Sequence, residues 1–244
     1  MLLRARSGRR PGSLRQRLGI VLYWPIGLLT VTWRYLWRTT VVRRRDEEGG
    51  PQDLPPPLPD GVDRDRIQGV DDGVGALLHR RYSVRVVDTR ATAEDVVAQL
   101  AGDPNTAAPA AAVFVKSEGA PGRMAVNDEY VVRMPGPWDG PVRVVRCTPT
   151  SFRLATLEGH LEAGQIEFRA RCEAEELVFE IESWARPGDR LSNLLYNHLL
   201  LAKEIQLNLW TETCLGVARN TGGRRRGGVQ VTTWRVEDPV SATG

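Results

Sequence analysis

Hydrophobic positions in the C-terminal half recur at three- and four-residue steps over residues 189–218. Leu191, Leu194, Leu195, His198, Leu201, Ala202, Ile205 and Leu209 fall on one face. That spacing predicts an amphipathic helix of about eight turns. Asp189 is placed to cap its start, just after Arg186-Pro187-Gly188. Upstream the period shortens to two. Ile166, Phe168, Ala170 and Cys172 alternate with Gln165, Glu167, Arg169 and Arg171, and Leu177, Phe179 and Ile181 alternate with Glu180 and Glu182. This pattern predicts antiparallel strands with one apolar face and one charged, wet face. Further strands are predicted over residues 82–87, 112–116, 124–134, 142–147 and 152–157. Thr92-Ala93-Glu94-Asp95 has the form of a capping box and starts a short helix through Leu100. The pattern predicts an α+β domain in which an antiparallel sheet of about six or seven strands wraps around the long helix. Tyr196, Leu200, Leu207 and Cys214 form a second apolar stripe on that helix. Burying it requires a further cover: the N-terminal helix, a second subunit (a homodimer) or a membrane.

Outside residues 79–223 the pattern changes. Residues 18–33 form a sixteen-residue run without charge, about 24 Å long as a helix and short against a hydrocarbon core of about 30 Å. Tyr23, Trp24, Trp33, Tyr35 and Trp37 bracket it with residues suited to a membrane interface, and Pro25 interrupts it. Residues 46–78, with Pro51, Pro55, Pro56, Pro57 and Pro59 among many aspartates, read as an extended, solvated linker. Residues 224–244 read as a flexible, Gly- and Arg-rich tail.

Charge sharpens this division. Residues 1–45 hold 11 of the 33 basic side chains and none of the 30 acidic ones, so the rest of the chain is net −8. The basic character belongs to the arm. A nucleic-acid groove on the body is disfavoured, since it needs a clustered basic face. The arm, an apolar helix with arginines at both ends, is expected to bind a membrane surface, placing the protein at the cytoplasmic face of the cell membrane. Folding back onto the domain is its alternative. The three cysteines, Cys147, Cys172 and Cys214, are widely spaced and fit a reducing compartment.

Three stretches carry a family resemblance: DEYVVRMPGPWDGPVRVV at 128–145, FRLATLEGHLEAGQIEFRA at 152–170 and FEIESWARPGDRL at 179–191. The turn with Gly159, His160, Glu162 and Gly164 is the most specific part. Residues 79–223 resemble the domain-of-unknown-function family 1990, within the SRPBCC superfamily of START-like, Bet v-like and polyketide-cyclase-like proteins. The resemblance implies a helix-grip fold and an elongated apolar cavity between sheet and helix, suited to a lipid or another hydrophobic small molecule. It implies no reaction.

Candidate site residues follow from placing the pattern on that fold. Phe168, Phe179, Leu201 and Ile205 would line the cavity, with His198, Asp128 and Tyr130 as its few polar features. Trp138, in the loop 135–141, would gate or cap it. His160 and Glu162, with Glu158, are either an acid–base cluster or a turn whose polar groups hold its own backbone. The absence of a phosphate loop, nucleophile elbow or HExxH motif leaves no cofactor or metal implied. The expected function is non-catalytic binding. A cyclase or hydrolase using His160 or His198 with Glu158, Glu162 or Asp128 is the alternative, and a membrane-bound interaction protein without ligand is the third.

Overall fold

The computed structural model describes residues 42–109, 112–133, 139–188 and 201–237, except the side chains of 201–205. The apolar run 18–37, Trp138, the first turns of the long helix with His198, and the chain end lie outside these residues.

Ten strands form one sheet in the order β1-β10-β2-β8-β7-β6-β5-β4-β3, with β9 beside β2. They are β1 (Val42–Glu48), β2 (Leu77–Val87), β3 (Val113–Glu118), β4 (Glu129–Arg133), β5 (Asp139–Cys147), β6 (Ser151–Thr156), β7 (Glu162–Glu173), β8 (Glu176–Pro187), β9 (Arg224–Arg225) and β10 (Val229–Val236). Neighbours run antiparallel except β1 and β10, which are parallel. Two helices lie on one face: short α1 (Ala93–Gly102) and long α2 (Leu201–Asn220). The architecture is the helix grip that the sequence predicts, with a larger sheet. Thr92 Oγ1 accepts from the Asp95 N–H and Asp95 returns the bond to the Thr92 N–H, so the expected capping box starts α1.

The concave face carries the main core. Tyr82, Val84 and Val86 of β2 register through Ile181 and Phe179 of β8 with Phe168 and Ala170 of β7, then Phe152 of β6. Trp210, Cys214 and Val217 of α2 close over this surface. Cys214 and Leu207, expected on a second stripe, share the core with Leu209. Val229 and Val231 of β10 belong to the same cluster. Strand β10 thus supplies part of the cover that the second stripe requires.

Four expectations are corrected. The sheet has ten strands instead of six or seven, because residues 42–48 and 229–236 pair with each other and with β2. VRRRDEE has no apolar alternation; it is an edge strand held by backbone bonding, and its charges suit an edge facing water. The predicted strand at 124–134 starts only at Glu129, because Asn127 is left-handed (φ 73°) and Asp128 caps a turn. Val126 is consequently exposed. Residues 49–76 are laid along the convex face: Gln68 donates to the His160 and Glu162 carbonyls, and Val62 packs on Val145 and Ala155. The convex face is therefore not wet throughout. Arg153, Glu167, Glu180 and Glu182 are buried there, and Arg169 joins Glu180 and Glu182 in ion pairs. Buried charge is tolerated only when paired in this way.

Candidate functional site

The concave face becomes polar toward the N-terminal half of α2. Even-numbered residues of β2 face the helix, so Arg80, two positions before Tyr82, points inward. Arg80 Nη1 donates to Gln206 Oε1 at 2.7 Å, and Gln206 Nε2 donates to Glu162 Oε2 at 3.0 Å. This chain ties β2 to β7 across α2. Deeper inside, the Tyr82 hydroxyl and Trp210 Nε1 are buried without a hydrogen-bond partner. Burial pushes the Tyr82 pKa up to about 12. The Arg80 guanidinium tempers this shift from nearby, outside hydrogen-bonding geometry with the hydroxyl. Tyr82 therefore stays a neutral phenol at any ordinary pH.

An aromatic wall lies alongside. Phe152 and Phe168 stack at 4.8 Å between centroids, and Trp210 stands edge-on to Phe168 at 5.5 Å. Both geometries are favourable ones for aromatic pairs. Cys214, one turn beyond Trp210, has its thiol pKa raised by burial, so it is an inert, protonated thiol.

The sequence-derived candidates separate. Phe168, Phe179 and Glu162 do share the concave face on β7 and β8. Tyr130 is also inward, but on β4, three strands from β7. Asp128 is not an interior feature. Its carboxylate accepts from Lys116 Nζ and the Ala125 N–H, both at 2.8 Å, and so holds a surface turn. Leu201 and Ile205 are on α2, but their side chains lie outside the description, as do all of His198 and Trp138. Arg80, Tyr82, Gln206 and Trp210 were missed. Extending the alternation of β2 back two residues would have found Arg80. Trp210 and Gln206 each follow a residue of the predicted stripe, and only the docking angle of α2 brings them inward.

The Glu158, His160, Glu162 trio does not assemble. Glu158 is exposed. His160 Nδ1 accepts from the Glu162 N–H at 2.9 Å, while the Glu162 carboxylate turns to Gln206. Burial, only partly opposed by that backbone bond, lowers the His160 pKa to about 4. The ring is neutral, with its one proton on Nε2, and it lies against Gly140, where an added Cβ would sit 2.8 Å from Nε2. His160 thus shapes the turn. Among the described residues no three His, Cys, Asp or Glu side chains are grouped to hold a metal ion. Removing the ring (His160→Ala) leaves the Glu162 N–H unpaired, and denaturant melts should show a loss of about 1–3 kcal/mol. The unfolded chain takes up this proton near pH 6.5, the folded one only near 4. Wild-type stability should therefore fall as pH drops from 6.5 to 4, and the variant should lose much of that slope.

The convex face holds a second constellation, also missed. His79 is sandwiched between Trp184, at 5.2 Å, and Trp234, at 4.6 Å. Its Nδ1 is 2.8 Å from Asp53 and its Nε2 2.8 Å from Glu182. Arg81 also donates to Glu182 and lies over the Trp234 ring. Burial alone would raise the Glu182 pKa, but hydrogen bonds from His79 and Arg81, with Arg169 alongside, hold it at about 2. The group is closed over by residues 51–54 and is a clamp for the segments that flank the grip.

These features define a helix-grip domain with a polar-tipped aromatic interior. Residues 73–209 match the model of a family described as a domain of unknown function (DUF1990), and the chain belongs to that family. No curated protein matches it. Among solved structures it is similar to a conserved protein from Geobacillus kaustophilus, at 12% identity and TM-score 0.42, over 61% of this chain and 99% of that one. It is also similar to norcoclaurine synthase from Thalictrum flavum, solved with dopamine and hydroxybenzaldehyde, at 10% identity and TM-score 0.39, over 68% and 95%. A third is the di-domain ARO/CYC StfQ of the steffimycin biosynthetic pathway, at 12% identity and TM-score 0.42, over 62% and 50%.

Proposed function

We propose that the protein binds a hydrophobic small molecule or lipid between the sheet and α2, without catalysis, at a membrane surface reached by residues 1–45. The observation that carries the binding half is the pair of unpartnered polar atoms, Tyr82 Oη and Trp210 Nε1, inside an otherwise apolar core. Leaving such groups unpaired costs about 1–3 kcal/mol each, and functional sites are where that cost is retained. The engagement of His160 with its own turn removes one candidate general base. The arm half rests on composition: eleven arginines around an aromatic-bracketed apolar run. Among the described residues no helix is long and apolar enough to cross a membrane; residues 18–37 lie outside them.

Native mass spectrometry of the full chain, purified without detergent, tests binding: a co-purifying small molecule is expected, and repeatedly empty protein would favour the interaction-protein alternative. Tyr82→Phe gives a second readout. It should stabilise the ligand-free protein by about 1–3 kcal/mol in denaturant melts while weakening ligand retention. A variant no more stable than wild type would mean that the hydroxyl is satisfied internally. Deleting residues 1–41 should shift the protein from the membrane fraction to the supernatant; unchanged fractionation would sink the arm's role.

A further inference from the structure

We infer that the interior site takes a neutral aromatic molecule bearing a hydrogen-bond acceptor, of the aryl-ketone class, with its acceptor oxygen at Tyr82 Oη and Trp210 Nε1. This rests on the binding reading above and narrows it. Trp210 Nε1 is a donor only, and the Tyr82 phenol remains protonated and able to donate. Two unpaired donors within one apolar core are satisfied by an acceptor. A plain hydrocarbon would leave both atoms unpaired after displacing any water that served them. A carboxylate is disfavoured by its surroundings. The one cation nearby, Arg80, already donates to Gln206, and the far end of that chain is the Glu162 carboxylate. A buried anion would add uncompensated charge next to an existing negative group. The aromatic part follows from the wall. Phe152, Phe168 and Trp210 offer one parallel stack and one edge, which favours a flat ring over a flexible chain.

Three naphthalene probes separate these choices: naphthalene itself, 2-acetylnaphthalene and 2-naphthoate. Equilibrium dialysis against the full-length protein should rank 2-acetylnaphthalene at least about tenfold above the other two. Sites built to hydrogen-bond a ligand group reject analogues lacking it by at least that factor. The advantage over naphthalene should vanish in Tyr82→Phe and shrink in Trp210→Phe. Tyr82→Phe changes only one oxygen and keeps the test decisive should Trp210→Phe fail to fold. Equal binding of all three probes, or a ketone preference that survives Tyr82→Phe, would overturn the acceptor assignment and leave the interior site standing. Tightest binding of 2-naphthoate would overturn the neutrality argument. No binding of any probe would remove the interior site itself, and this inference with it.

Discussion

His79→Ala is expected to cost about 3–5 kcal/mol of folding stability, because it leaves two buried carboxylates facing each other without their shared donor. Asp53 and Glu182 both hydrogen-bond the ring at 2.8 Å. Ionised carboxylates only accept, so both contacts are satisfied when each ring nitrogen carries a proton. The variant also opens a gap between the Trp184 and Trp234 rings. The damage should be directional. Trp234 is on β10 and bonds Glu47 of β1, while Asp53 belongs to the segment that follows β1. Amide exchange should therefore accelerate in β1, β10 and residues 49–54 before the β6–β8 core. A melt within about 1 kcal/mol of wild type, with β10 still protected, would show that the clamp is not what holds the flanking strands. Glu182 makes the same cluster acid-sensitive. Its folded pKa is held at about 2, below the ordinary 4.5, so its stabilisation is full above 4.5 and is lost as pH falls toward 2.

Gly164→Ala is expected to be the most disruptive small substitution on the grip itself, at about 3 kcal/mol or more. Gly164 lies in β7 opposite Ala185 of β8. A methyl there would collide with the Trp184 carbonyl oxygen and sit 2.9 Å from its carbon. The obstacle is backbone of the neighbouring strand, so a rotamer change gives no relief. The Gly164 N–H also donates to Thr156 Oγ1 and to the Gln68 carbonyl, which fixes the turn and the overlying segment together. Thermal melts should show a large drop in midpoint, with the Trp184–His79 stack disturbed in near-ultraviolet circular dichroism. Gly159→Ala is the control. Its φ of 98° carries strain, but an added Cβ meets nothing within 4 Å, so its cost should be about 1 kcal/mol.

The Gly159–Gly164 turn shows how far reading the chain alone could reach. Its spacing marks it as a specific feature, and the structure gives the reason for Gly164: two strands approach too closely for a side chain. The same spacing made Glu158, His160 and Glu162 look like one chemical group. Which way each side chain turns depends on Gln68, Gly140 and Gln206, residues distant in the chain. Conserving that geometry is a matter of packing, and no local periodicity records it.

What the sequence determined by itself was local and periodic. Alternation over 165–182 and the 3.6-residue stripe beyond 189 gave an antiparallel sheet gripping a long helix, and the Thr92 capping box gave the start of α1. Each rests on interactions within a few residues, so the signal is written next to the structure it produces. Tertiary structure alone decided the rest. Strands β1 and β10 exist because segments about 190 residues apart pair with each other and with β2. His79 became a clamp because β8, β10 and residues 51–54 converge on it. Tyr82, Trp210, Arg80 and Gln206 became a site because α2 docks at one angle over β2 and β7. Backbone pairing across an edge and burial across a helix–sheet interface depend on partners that no short window contains, and there the candidate site was built.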